Sequence, residues 1–240
     1  MTTKAAVDRK QKAEGASSKR LSTVAKEKPS GSLSLPDAVS FVQKHANAKF
    51  DETVELHAHL GVDPQKSDQA VRGTVVLPHG APSSVRVAVF TDDRALQKSA
   101  EEAGADLVGG KELIETVKTK GKLDADVAVA TPDTMKDLAA VAKILGPKGL
   151  MPNPKTGTIG PDPAKIVREL KGGKTAFKMD DSGNVHLAVG KASWPEEKLV
   201  ANTRAALDAL RQARPAAAKG DFLKSVTVTS TMGVGIRVKT

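Results

Sequence analysis

Near the carboxy terminus, Ser225, Thr227, Thr229 and Thr231 recur at every second position, with Val226 and Val228 between them. Side chains of an extended strand alternate between two faces, so this spacing puts a row of hydroxyls on one face and valines on the other. A hydroxyl row beside a turn at Met232-Gly233 suits hydrogen bonds to the 2′-hydroxyls and phosphates of a folded RNA. The ordinary alternative is a solvated, Thr-rich sheet face. Much earlier, Ala48-Lys49-Phe50-Asp51-Glu52-Thr53 opens another strand, with a ring able to stack beside an ammonium able to meet phosphate. A phenylalanine at a strand edge also serves as core. Lys174 and Lys178, with Lys191 nearby, form a third basic group, which alone would do no more than aid solubility.

The run Gly146-Pro147-Lys148-Gly149-Leu150-Met151-Pro152-Asn153-Pro154-Lys155-Thr156-Gly157 holds three Pro, three Gly and an Asn in twelve residues. Pro fixes φ and has no amide donor, while Gly admits positive φ, so a helix cannot continue through it. It must be a shaped loop, and loops this constrained usually position something. Lys148 and Lys155 make it positive.

Catalysis has no visible home. No GxxxxGK[ST] or GxGxxG follows the strands expected in the middle of the chain, so neither phosphate-cradling loop is present. There is no GxSxG elbow and no HExxH. His57 and His59 would share a strand face, as metal ligands do, but no third ligand accompanies them and they read as surface histidines. With no Cys, thiolate metal sites, disulfides and Cys nucleophiles are excluded, so no metal or cofactor is expected.

The 240 residues carry a formal charge of +9, which favours a polyanionic partner, nucleic acid or an acidic membrane surface. No apolar run approaches the roughly 20 residues needed to span a bilayer. Five Phe, one Trp and no Tyr are too few for a single-strand binder built on aromatic platforms. RNA read by shape fits better. Residues 1–30 read as a disordered basic tail: eight basic residues against three acidic ones up to Pro29 give a net +5, without apolar periodicity. The tail has no apolar segment of a secretory signal, and its acidic residues argue against an organellar transit peptide.

Two textures run through the elements that must hold these groups. In the middle, Val85–Phe90, Ala105–Gly110 and Asp126–Ala130 are short, nearly all-apolar strands. Helices are expected from Asp93 to Gly104, from Lys111 to Lys120 and from about Pro132 to Leu145. This alternation predicts a parallel sheet covered on both faces, a Rossmann-like βαβ unit. In the flanks, Thr53–Leu60, Gly73–Pro78 and Ser225–Thr229 are strands, the first and last of them alternating apolar with polar. A hairpin is expected within Thr175–Val189 around Asp181-Ser182-Gly183-Asn184, and another joins Ser225–Thr229 to Gly235–Val238. Helices are expected over Pro36–His45 and over Ser193–Arg214, the latter opened by a Ser193/Glu196 capping box. Each flank alone holds only roughly 50–70 foldable residues, a weak basis for a core. The economical expectation is an α/β and α+β chain of two domains. Residues 31–80 and 173–240 would form one antiparallel-sheet α+β domain, with residues 81–172 inserted as the Rossmann-like α/β domain.

In order along the chain, Ala48–Glu55, Leu60–Pro64, Arg72–Gly80, Glu102–Asp106 with Val108–Gly110, Ala130–Asp133, the loop at Gly146–Gly157 and Ser230–Gly233 resemble successive blocks of the L-one family of large-subunit ribosomal proteins, of bacterial type. The resemblance runs from about Ser34 to Lys239. It implies the same two-domain architecture, with the domain made of the chain ends gripping a stem-and-loop of large-subunit rRNA at the mobile stalk, near the exit site for tRNA. It further implies a monomer within a cytoplasmic ribosome, no catalysis and no membrane role. Repression of the operon's own mRNA through a similar RNA structure is also implied. By position, RNA contacts carry over to Lys49, Phe50, Thr53, Ser225, Thr231, Met232 and Gly233, and less directly to Glu52, Thr227 and Lys178. Lys148, Asn153 and Lys155 of the loop carry a secondary RNA, tRNA or interdomain role. The family usually has Pro after Met-Gly; here Val234 stands there.

Overall fold

The computed structural model describes residues 19–29, 31–218 and 220–239. The first element among the described residues is a helix, α1 (Lys19–Glu27), where the sequence predicts a disordered tail. Leu21 and Val24, three apart, are a single apolar step too short to show as periodicity. Val24 is nevertheless buried, and the Glu27 carboxylate meets His45 Nε2 at 2.9 Å. Of the expected tail, residues 1–18 and 30 lie outside the described residues.

Helix α2 (Leu35–His45) starts where expected, because the Ser34 hydroxyl oxygen accepts from the Asp37 amide and Pro occupies the first turn. Its buried side chains are Ala38, Val39 and Val42. Strand β1 (Thr53–Leu60) alternates strictly, with Val54, Leu56, Ala58 and Leu60 buried and the residues between them half-exposed. It lies inside a four-stranded antiparallel sheet, flanked by β7 (Asn184–Lys191) and β8 (Leu223–Ser230), with β9 (Ile236–Val238) beyond β8. The strands buried against α2 and the helix Glu196–Gln212 form one hydrophobic cluster, with Leu56, Val185, Val228, Leu199 and Leu210 at its centre. Its members come only from residues 38–77 and 177–238 among the 38–238 span.

Between these stretches lies a parallel sheet of order β4-β3-β5, from β3 (Val87–Phe90), β4 (Leu107–Gly109) and β5 (Val127–Ala130). All four residues of β3 are buried. Ala88 and Phe90 point into a cluster with Ile114, Val117, Leu138 and Leu145, while Val87 and Val89 point into another with Ala100, Val167 and Leu170. Alternate side chains of one strand thus feed cores on both faces, which is why the strand is continuously apolar. A separate two-stranded antiparallel sheet joins β2 (Arg72–Val76) to β6 (Lys174–Lys178).

Four local expectations differ from what forms. The helix expected from Pro132 to Leu145 is broken into Met135–Leu138, a 3₁₀ turn at Ala139–Val141 and Ala142–Leu145. The hairpin expected within Thr175–Val189 keeps its turn: Gly183 has φ 80° and Asp180 Oδ1 accepts from the Ser182 and Asn184 amides. Its arms, however, part into different sheets, because β6 pairs with β2 and β7 with β1. The capping box does not form either. The helix begins at Glu196 without a side-chain cap, and Ser193 instead bonds Asp51 through both its amide and its hydroxyl. Strand β4 is shorter than expected, since the Asp106 carboxylate turns back to accept from the Val87 amide.

Gly80 and Gly173 lie against each other. Gly173 has φ 103°, and a Cβ there would fall 2.6 Å from Gly80 Cα. Only glycine permits that approach.

Candidate nucleic-acid interface

The amino end of β1 and the carboxy end of β8 meet because the two strands pair antiparallel, Val54 opposite Ser230. This register brings Lys49–Thr53 beside Thr231–Gly233, segments about 180 residues apart in sequence. Two sets of bonds lock them. The Thr231 amide donates to Thr53 O at 3.0 Å, and the Thr53 amide donates to Thr231 Oγ1 at 3.0 Å. Beneath, Glu52 is only 1% exposed, its Oε1 accepting from the Ala48 amide at 2.9 Å and its Oε2 from the Met232 amide at 3.0 Å. One buried carboxylate therefore binds the turn before β1 to the turn after β8.

What the lock presents is apolar and reachable. Phe50 is 54% exposed and Met232 53% exposed, two of the three large hydrophobics left on the surface of the described residues. Lys49 is exposed beside Phe50. Lys191 Nζ donates to Thr53 Oγ1 at 2.9 Å, so that hydroxyl is held by an ammonium from the neighbouring strand. Gly233 has no positive φ. A Cβ there would instead come 2.3 Å from the buried Ser230 Oγ, so the tight turn asks for Gly by contact and not by dihedral angle.

The hydroxyl row predicted on β8 forms. Ser225, Thr227 and Thr229 are half-exposed while Val226, Val228 and Ser230 are buried. Across the ladder, His59 faces Ser225, His57 faces Thr227 and Glu55 faces Thr229. Arg237 of β9 faces Thr227 from the other side. This open face of the sheet carries hydroxyls, imidazoles and cations. His57 and His186 oppose each other in the ladder, with their Nδ1 atoms 2.6 Å apart. Burial, then the neighbouring His186, pushes the pKa of His57 down; Glu55 opposes this. Sequence order concealed that pairing, since His186 lies on a strand whose partner could not be read from its own residues.

Lys178 and the Gly146–Gly157 loop lie elsewhere. Lys178 is exposed on β6, opposite Arg72. A cleft of about 500 Å³ is lined from one side by Arg72, Thr74, Lys174 and Lys178 and from the other by Asn153 and Asp126. The loop is self-bonded: the Asn153 amide donates to Thr158 Oγ1, and Asn153 O accepts from the Thr156 hydroxyl. Leu150 is buried and fastens the loop to the core beneath. Lys148 is exposed; the side chain of Lys155 lies outside the described residues. Lys174 donates to Glu169 Oε2 at 2.8 Å, which holds that carboxyl below its ordinary range. The structure thus gathers Lys49, Phe50, Thr53, Ser225, Thr227, Thr231, Met232 and Gly233 on or beside one sheet, and sets Lys178, Lys148 and Asn153 apart from them.

No group of three or more His, Cys, Asp or Glu side chains among the described residues is placed to hold a metal ion. No helix among them is long and apolar enough to cross a membrane. The family description Ribosomal protein L1p/L10e matches residues 42–234, a stretch that includes every residue of the gathered surface. The chain therefore belongs to that family of large-subunit, RNA-binding ribosomal proteins.

Proposed function

We propose that the locked strand ends and the adjoining hydroxyl row bind a stem-and-loop of large-subunit rRNA, and that the chain acts there without catalysis as part of the mobile stalk. The observation that carries this is the juxtaposition of exposed Phe50 and Met232 on two segments joined by Glu52, beside the half-exposed row Ser225, Thr227 and Thr229. An apolar pair available for stacking, edged by hydroxyls and by Lys49, matches the way folded RNA is held at splayed bases and 2′-hydroxyls. Glu52, with its carboxylate spent on two amides, serves by shaping this surface. Thr231 serves in the same way through Thr53, and Gly233 through the space it leaves for Ser230.

The distribution of cores supports a reading in two domains, residues 31–80 with 173–240 and residues 81–172 inserted between them. The first would grip rRNA. The second, with Lys148, Asn153 and Lys155, would meet tRNA leaving the ribosome and assist its release, or set the interdomain geometry. A similar RNA structure in the chain's own operon mRNA would be bound by the same surface, giving translational repression. A cytoplasmic ribosome and a single copy per particle complete the proposal.

Filter binding to a large-subunit rRNA stem-and-loop fragment at graded salt tests it. The log–log slope should have a magnitude of several, since each neutralised phosphate contributes about 0.7–0.9. Phe50→Ala should weaken binding by about 1–3 kcal/mol, the range for loss of one stacked base. Because the ring is exposed, folding should be undisturbed. A salt-independent affinity, or full affinity in the double variant Phe50→Ala/Met232→Ala, would remove this surface from the reading.

A further inference from the structure

We propose that His57 and His186 form a binding site for a late-transition divalent cation of the zinc type on the open face of the four-stranded sheet. The site stands on geometry independent of the RNA reading. The two residues are directly opposed on β1 and β7, and both turn Nδ1 inward, to a separation of 2.6 Å. Each outer nitrogen faces a carboxylate: His57 Nε2 lies 3.5 Å from Glu55 Oε2, and His186 Nε2 lies 3.5 Å from Asp180 Oδ2. Imidazoles that ligate metals characteristically donate their other N–H to a carboxylate, which fixes the tautomer and leaves the ligating nitrogen bare. Here a carboxylate stands 3.5 Å from each outer nitrogen, hydrogen-bonded in the case of His186, and the two Nδ1 atoms share one hydrogen bond whose proton a bound cation would displace.

The carboxylates are themselves placed by the fold. Glu55 is two residues from His57 on the same strand face. Asp180 is pinned by the Ser182 and Asn184 amides at 2.9 and 2.6 Å. Tetrahedral Zn–N bonds of about 2.0–2.1 Å need the two nitrogens roughly 3.3 Å apart, so the rings must open by somewhat under 1 Å. The His57 side chain is 29% exposed and that of His186 54% exposed, and small χ rotations suffice for such a shift. With two protein ligands, the remaining positions face solvent and take water. Zinc suits two imidazoles better than magnesium or calcium, which favour oxygen donors.

The test is Zn²⁺ titration of the EDTA-treated full chain by calorimetry, with Co²⁺ absorption reporting coordination. One saturable equivalent is expected. His57→Ala and His186→Ala should each abolish it, and Glu55→Gln should weaken it about tenfold. His59→Ala should leave it intact, because His59 bonds Asn184 at 2.9 Å and stands outside the pair. Far-UV circular dichroism and the unchanged thermal midpoint of His186→Ala establish that loss is not unfolding. Absence of saturable uptake at millimolar Zn²⁺, or uptake that survives both histidine replacements, would overturn the site.

Discussion

Replacing Glu52 by Gln tests the claim that one buried carboxylate assembles the proposed interface. The substitution preserves shape but leaves a single acceptor oxygen. Whichever way the amide turns, its NH₂ group confronts an N–H that the carboxylate accepted, from Ala48 at 2.9 Å or from Met232 at 3.0 Å. One charge-assisted bond is lost, and a backbone donor is left without that acceptor at a residue 1% exposed. Hydrogen bonds to charged groups contribute about 1.5–3 kcal/mol, so a loss near 2 kcal/mol is expected. For a chain of this size that is a fall of roughly 4–8 °C in thermal midpoint. Urea titration read by Trp194, the only tryptophan, follows the affected core directly, since Trp194 packs against it. Hydrogen exchange should show the Met232 amide losing protection while β3 amides keep theirs. A midpoint within about 0.5 kcal/mol of the parent, with Met232 protection unchanged, would refute the clamp.

Asn202 offers a parallel test beside Gly80. It is fully buried; its Nδ2 donates to Val189 O at 2.8 Å and Gly80 O at 3.2 Å, and its Oδ1 accepts from the His79 amide at 3.0 Å. Asn202→Ala should cost about 3 kcal/mol in a urea titration, since three backbone groups lose their partner at once. A loss below 1 kcal/mol would show that His79-Gly80 is held otherwise. Asp180 gives a pH signature. The Asn184 amide, foremost among several hydrogen bonds, lowers its pKa to about 2, below the ordinary 3.8. A carboxyl depressed in the folded chain stabilises its turn above the unfolded value and loses that contribution as pH falls through the folded one. The Ser182 and Asn184 amide resonances should therefore titrate near pH 2 and hold steady above about pH 4. Asp180→Asn should abolish that titration; a midpoint near 4 would contradict the turn geometry.

Much of the architecture was legible because it rests on local rules. Period-two hydroxyls on β8 and alternation on β1 placed both strands and their wet faces, since burial on one side imposes that pattern. Unbroken apolar runs marked the parallel strands for the equivalent reason. The helix at Lys111–Lys120 formed over its expected length, its Gly121 cap at φ 65° where Gly is the natural stop. The Pro- and Gly-rich loop likewise declared itself, as backbone restriction acts residue by residue.

What composition and spacing left open were the choices made across distance. The turn at Asp180–Asn184 was written locally, yet its two arms joined different partners, because strand pairing depends on which edges are free when the sheets assemble. Ser193 served Asp51 in place of its own helix, a competition between acceptors that linear order does not rank. Glu52, carried over only as a less direct RNA contact, is a buried tie between the turn before β1 and the turn after β8. His57 had no visible partner until β7 laid His186 opposite it. Propensity and periodicity act within a few residues, whereas a site is a coincidence of side chains from separate strands, and only the folded register brings those together.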